Sequence, residues 1–215
     1  MKKSASQFLV LIAVLLIVMA GFAQRRHSQQ ASHGQPGVFD YYLLTLSWSP
    51  EFCHSHADKP ECQSGHHGFV VHGLWPQYSN GYPEHCSNAP GLRNPGEMAD
   101  IMPDTGLVAH EWSTHGTCSG LDAESYFKFI RRAFTSIKMP ERFVAARENF
   151  SITPEDVKKD FVRANPDFSA DEMTVSCGNN YLTAVSFCVN KDLKPIACQN
   201  LRDCRANSIR VPRIP

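Results

Sequence analysis

HEWSTHGTC, residues 110–118, brings two imidazoles, a carboxylate and a cysteine close together in the chain. Asp104, ahead of it, can cap a helix that carries Leu107, Val108 and Trp112, with Gly116 placed to end it. On that helix Glu111 and His115 stand four apart and share one face. A carboxylate beside an imidazole favours the protonated ring. The pair is therefore a candidate proton-transfer site, and equally an ordinary surface ion pair.

Outward from this helix, the chain reads as strands on both sides. Phe39 to Trp48 (FDYYLLTLSW) is nearly continuous in apolar residues, as in a strand buried on both faces, and Ser49-Pro50 should stop it. Cys53 to Cys62 reads as a short polar loop that one disulfide could close. His66 to Trp75 (HHGFVVHGLW) is a second strand, ended by Pro76, with His72 near its rim. Gln77 to Gly96 is rich in Asn, Gly and Pro and reads as loop. Asp122 caps a second helix on which Tyr126, Phe127, Ile130, Ala133 and Ile137 recur at helical spacing until Pro140. Phe143 sits in a short helical piece. Thr153-Pro154-Glu155-Asp156 opens a helix to about Ala164. Met173 to Cys177 and Tyr181 to Val189 are strands around Gly178-Asn179-Asn180, a hairpin signal, and Ile209 to Ile214 adds an edge strand. Strands at both ends with helices between predict an α+β fold with a mainly antiparallel sheet. No internal repeat is visible.

The N-terminus reads as an address. Met1-Lys2-Lys3 is basic, Phe8 to Ala20 is an apolar run too short for a comfortable membrane span, and small residues near Ala23 suit cleavage. Residues 1–23 are thus a predicted signal peptide, residues 24–37 a polar flexible leader, and residues 38–215 one domain. Basic and acidic residues balance at 21 each. Loss of Lys2 and Lys3 tips the balance slightly acidic, which excludes a protein that grips nucleic acid through many phosphates. Eight cysteines behind a signal peptide point to disulfides in an oxidising compartment. Spacing alone leaves all of the roughly 105 pairings open.

His110-Glu111 with a second histidine invites a zinc-protease reading, but that motif needs histidines four apart. His110 and His115 are five apart, about 140° round the helix axis. Most other histidines (His27, His33, His54, His56, His66, His67 and His85) lie in polar stretches and read as solvated. Two histidines from separate segments, His72 and His115, could instead do paired acid–base work, one taking a proton while the other delivers one. A cationic imidazole could also stabilise charge on phosphorus.

HGLWP (72–76) and HEWSTHGTC (110–118), in this order and some forty residues apart, resemble the two active-site segments of the ribonuclease T2 family. FDYYLLTLSWSPEFC (39–53) resembles that family's first strand and loop. The eight cysteines follow its order, so the likeness covers Phe39 to Cys204. The resemblance implies an endoribonuclease that cuts single-stranded RNA without a metal or cofactor, through a 2′,3′-cyclic phosphate to 3′-phosphate ends, at acidic pH. It implies His115 as general base toward the 2′-hydroxyl and His72 as general acid toward the departing 5′-oxygen. Glu111 and His110 would orient the site and stabilise charge, and Trp75 would face a base. Tyr78 and Gln77 are further substrate-binding candidates. Tyr78 and Tyr82 read more simply as loop cover, and Trp112 as core.

The same resemblance implies the disulfides Cys53–Cys62, Cys86–Cys118, Cys177–Cys204 and Cys188–Cys198. It implies a secreted or periplasmic monomer, without stable membrane association after signal cleavage, that leaves DNA intact, since DNA lacks the nucleophilic 2′-hydroxyl. The chain departs from many relatives at Thr114, where Lys is common, which predicts a functional but slower enzyme. It departs also at Gln77 (Asp in some) and Ser47 (Gln in some), which bears on base preference. The rival readings are a catalytically silent RNA- or partner-binding protein on the same scaffold, and a metal-dependent phosphodiesterase. Retention of His72, Glu111 and His115 together argues against a silent binder.

Overall fold

A computed structural model describes residues 31–63 and 67–215. The signal-peptide reading, the first half of the leader and His66 fall outside those residues. In chain order the elements are β1 (Ala31–His33), β2 (Tyr41–Trp48), α1 (Ser49–Ser55), α2 (Pro60–Gln63), β3 (Phe69–Gln77), β4 (Tyr82–Glu84) and α3 (Thr105–Thr114). Next come α4 (Ala123–Ser136), α5 (Glu141–Val144), β5 (Phe150–Ile152), α6 (Pro154–Ala164), β6 (Met173–Gly178), β7 (Tyr181–Val189) and β8 (Ile209–Val211). The fold is α+β, as the order of strand and helix signals predicts.

One six-stranded sheet runs β3-β2-β7-β8-β5, with β6 on the other side of β7. The β2–β3, β2–β7, β6–β7 and β5–β8 pairings are antiparallel, and β7–β8 touch in parallel at Tyr181 and Arg210. Central β2 is buried along almost its whole length, as its unbroken apolar run requires. One sheet face meets the helices in the main core, where Leu44, Leu46, Val71 and Leu74 pack with Trp112, Tyr126, Phe127 and Phe161. Opposite it, Tyr41, Leu43 and Cys188 form a small cluster onto which Trp75 packs.

The helix starts follow their caps. Asp104 accepts from the backbone of Gly106 and Leu107, Asp122 from Ser125, and Thr153 from Asp156. Disulfides join Cys53 to Cys62, Cys86 to Cys118, Cys177 to Cys204 and Cys188 to Cys198, the pairing that the resemblance implied. α3 stops at Thr114, so Gly116 stands just past the helix, where the sequence places its end. His115 forms its C-cap, and Gly116 begins a 3-10 turn, Gly116–Cys118. A Cβ at Gly116 would come within 2.5 Å of Trp112 and 2.8 Å of Tyr126, so this turn requires glycine for closeness of packing.

Other boundaries differ from the sequence reading for physical reasons. Pro76 pairs with Tyr42 inside β3 and does not end it. β3 is the edge strand, where a missing N–H leaves no ladder bond unmade. Pro50 opens α1 at its first turn, where its fixed φ suits a helix, and the Cys53–Cys62 stretch is mostly helical, not loop. The second half of the leader is built into the fold. β1 pairs in parallel with β4, and Gly37 N donates to Cys118 O at 2.9 Å. β1, β4 and β5 are three residues long, too short to leave a periodicity.

Candidate active site

The site begins with an irregularity in β3. Thr45 pairs with Gly73 and Leu46 with Val71, so His72 is an extra residue with no partner on β2. This is a β-bulge, which re-aims the side chain it carries. It also explains how Val71 and Leu74, three apart, both reach the main core, when strict alternation would put them on opposite faces. His72 is thereby turned outward at the sheet edge, its side chain 43% exposed. Ser47 of β2 hydrogen-bonds its Nδ1 at 3.0 Å, which leaves Nε2 facing the site.

α3 supplies the second half. Glu111 is 1% exposed, and its two oxygens face different partners. Oε1 lies 3.8 Å from His72 Nε2, and Oε2 accepts from Trp75 Nε1 at 2.6 Å. The sequence suggested that Glu111 would meet His115; it meets His72 instead. His115 is the C-cap, with φ −114° and ψ −43°, and its ring leaves the helix face that a regular i,i+4 pair would share. The His115 ring centroid is 5.4 Å from that of Trp75 and 6.2 Å from that of Tyr82. The His72 ring lies 5.3 Å from Trp75. Both imidazoles therefore pack against Trp75.

Backbone placement makes this cluster tight. A Cβ on Gly73 would sit 2.2 Å from both Glu111 Oε2 and Trp75 Nε1, closer than side-chain carbons ever approach other atoms. Tyr126 of α4, fully buried, donates its hydroxyl to Leu74 O at 2.8 Å and so ties β3 to the helices beside the site. Cys86–Cys118 fixes the turn after His115, and His85 N donates to Thr114 O at 2.8 Å.

Charge is disfavoured throughout. Burial pushes the Glu111 carboxyl up to about 8, against the pull of the Trp75 hydrogen bond. Burial pulls His115 down to about 4, and His110, His72 and His85 pull it the same way. His72 is also lowered, by burial first and then by His110. His72 Nε2 and Glu111 Oε1 are 3.8 Å apart, and burial disfavours the charged form of each. His115 Nδ1 is buried and finds no hydrogen-bond partner among the described residues. The site thus pairs an imidazole pushed toward its neutral form, with one ring nitrogen unsatisfied, with a carboxyl pushed toward its protonated form.

The remaining sequence candidates are placed less centrally. His110 is exposed, with Thr114 Oγ1 3.5 Å from its Nδ1. Gln77 is 3% exposed, and its amide donates to Pro76 O at 3.1 Å. Tyr78 is half-buried and packs against the main core. Thr114 is buried, so a lysine there would need room that the packing does not leave. Ser47, Gly73 and Tyr82 are the residues that sequence reasoning undervalued. Only the apolar spacing of Val71 and Leu74 carried a signal of the bulge. His85, read as solvated, holds the end of α3 through its backbone and through Nδ1 on Ser113 O. A cavity of about 400 Å³ reaches His72 and Trp75 between Phe52 of α1 and the hydroxyls of Thr45, Ser47 and Ser186.

Comparisons with known proteins point one way. Over 97 residues the chain is 47% identical to a ribonuclease of Aeromonas hydrophila, covering 43% of this chain and 44% of that protein; the match thus spans under half of the relative's length. Over 218 residues it is 30% identical to ribonuclease DdI of Dictyostelium discoideum, covering 89% of this chain and 93% of that one. Among solved structures, an RNase-related protein from Calystegia sepium superposes with a TM-score of 0.70 at 21% identity, over 85% of this chain and 100% of that chain. Residues 39–198 match the ribonuclease T2 family. That stretch holds the bulge carrying His72, the capped helix carrying Glu111 and the turn carrying His115, and the chain belongs to the ribonuclease T2 family.

Proposed function

We propose that the protein is an endoribonuclease that cleaves single-stranded RNA by transphosphorylation. His115 takes the proton from a ribose 2′-hydroxyl, and the oxygen attacks the adjacent phosphorus. His72 delivers a proton to the departing 5′-oxygen, which leaves a 2′,3′-cyclic phosphate. Water then opens the ring to a 3′-phosphate, with the two histidines exchanging roles. Glu111 supplies and orients the proton on His72, and His110 adds positive charge near the phosphate when protonated. Trp75 offers a flat wall to ribose or base.

The observation that carries this reading is the pair of imidazoles packed against Trp75, one of them 3.8 Å from the Glu111 carboxylate. A base should be neutral and an acid should be held protonated, and Glu111 differentiates the two in that sense. Family membership and the relatives named as ribonucleases support the same activity. Four disulfides fit an oxidising compartment, in keeping with a secreted or periplasmic monomer. No helix among the described residues is long and apolar enough to cross a membrane.

The test is incubation of the refolded, oxidised protein with RNA and DNA oligonucleotides in EDTA, with product ends identified. RNA fragments ending in cyclic phosphate, with DNA untouched, are expected. Cleavage that stops in EDTA, or 5′-phosphate products, would remove the reading.

A further inference from the structure

A cavity of about 550 Å³ opens on the other side of α1 from the catalytic groove. Pro50 and His54 of α1 line it, whereas Glu51 and Phe52 line the groove. Its floor is the outward side of β7, β8 and β5. The register sets Tyr181 beside Arg210 and Arg210 beside Ser151, so these three form one row across the strands. Ile209 and Val211 point the opposite way into the core. The Arg210 guanidinium lies 5.6 Å from the Tyr181 ring centroid, and its Nη1 donates to the Tyr181 hydroxyl at 3.4 Å.

The wall is built and pinned. Trp48 Nε1 donates to Pro212 O at 3.0 Å, Arg213 N to Asn149 Oδ1 at 2.9 Å, and Ile214 N to Ala146 O at 2.8 Å. Arg213 is thereby held at the rim. Neither Arg210 nor Arg213 has an ion pair among the described residues, and no Asp or Glu lines the cavity. A chain with balanced formal charge thus collects two unpaired guanidinium groups and an imidazole over a tyrosine. Guanidinium forks suit phosphate oxygens, and tyrosine and guanidinium planes both stack on bases.

We propose that this cavity is a second nucleoside-phosphate site, with a base against the Tyr181–Arg210 face and its phosphate between Arg210 and Arg213. The ligand is one chemistry with two sources, a distal nucleotide of the RNA being cut or a free mononucleotide; the first rests on the ribonuclease reading above. α1, about 10–12 Å thick with its side chains, separates the cavity from the groove. A strand of several nucleotides can occupy both places, and a dinucleoside monophosphate can occupy only one.

The test uses Arg210→Gln/Arg213→Gln and Tyr181→Ala in the full, oxidised protein. Binding is read with a 2′-O-methyl RNA decamer, which cannot be cleaved, and with 5′-AMP. Cleavage is read with a dinucleoside monophosphate and with an RNA decamer. Expected are unchanged dinucleoside cleavage, a several-fold weaker affinity for the methylated decamer, and a matching rise in KM for the RNA decamer. The salt dependence of decamer binding should fall by about 1.4 in log–log slope for two lost phosphate contacts. Loss of 5′-AMP affinity alone would place the free nucleotide in the site. Wild-type values for both ligands in both variants would overturn the proposal while dinucleoside cleavage kept the catalytic reading intact. Wild-type failure to cleave either substrate would sink the catalytic reading and leave the binding arms to decide this one.

Discussion

Gly73→Ala is the sharpest perturbation of the site, because it adds one methyl group and changes no functional group. Its Cβ would fall 2.2 Å from Glu111 Oε2 and 2.2 Å from Trp75 Nε1, between a donor and an acceptor 2.6 Å apart. Gly73 does not have a positive φ, so the penalty comes from space and not from the backbone conformation. Either the Trp75 ring or the buried carboxylate must move. Overpacking of this kind costs about 1–3 kcal/mol, and separating a buried acceptor from its donor adds roughly 1–3 kcal/mol. A loss of about 3 kcal/mol lowers Tm by roughly 6–12 °C in a domain of this size. A shift of about 1 Å at Glu111 should lower kcat on a dinucleoside substrate by about 100-fold. Thermal melts and steady-state kinetics at pH 6 measure both. The same substitution in a Trp75→Phe background, where the indole donor is already gone, should cost distinctly less. Stability within about 0.5 kcal/mol of wild type and turnover within twofold would refute the crowding argument.

Further outcomes follow from the same geometry. The pH profile of kcat/KM should be a bell, rising through about 4 as His115 becomes neutral and falling through about 8 as Glu111 loses its proton; a single plateau to pH 10 would contradict a role for the Glu111 proton. Stability carries the opposite signs for the two groups. The raised Glu111 value stabilises the fold below its unfolded value near 4.5 and is lost toward about 8, so Glu111→Gln should gain stability at pH 8 to 9 while losing activity; equal melting shifts at pH 5 and pH 9 would refute this. Ser47→Ala frees His72 Nδ1 and should lower kcat by about tenfold with KM nearly unchanged; unaltered kcat would remove Ser47 from the site. Thr114→Lys, which simple charge counting predicts to speed the enzyme, should instead lower Tm because Thr114 is buried; an unchanged Tm would show that the helix end has room.

Much of this was legible in the sequence because it rests on local rules. Asp104, Asp122 and Thr153 cap helices where their neighbours leave unpaired N–H groups, and Gly178-Asn179-Asn180 turns a hairpin where positive φ is needed at Asn179 and Asn180. His72, Glu111, His115 and Trp75 were found by motif, and the structure brings all four together. What the sequence did not disclose depends on contacts made far along the chain. The partner of Glu111 was misassigned because helical spacing favours His115, whereas a bulge 39 positions earlier delivers His72. Gln77 was read as the start of a loop because Pro76 seemed to end the strand, yet edge position lets β3 continue through Gln77. β1 could not be read at all, since three residues pair only because Tyr82–Glu84 are presented to them.

The proposed reaction divides the proton transfers between His115 as base and His72 as acid. It is tested most directly by a nucleoside 3′-(4-nitrophenyl phosphate), whose leaving group departs without a proton. With this substrate His72→Ala should turn over within about tenfold of wild type, although it nearly abolishes cleavage of a dinucleoside monophosphate. His115→Ala should be nearly inactive on both. Equal losses for the two variants on the activated substrate, or rescue of His115→Ala in place of His72→Ala, would contradict it.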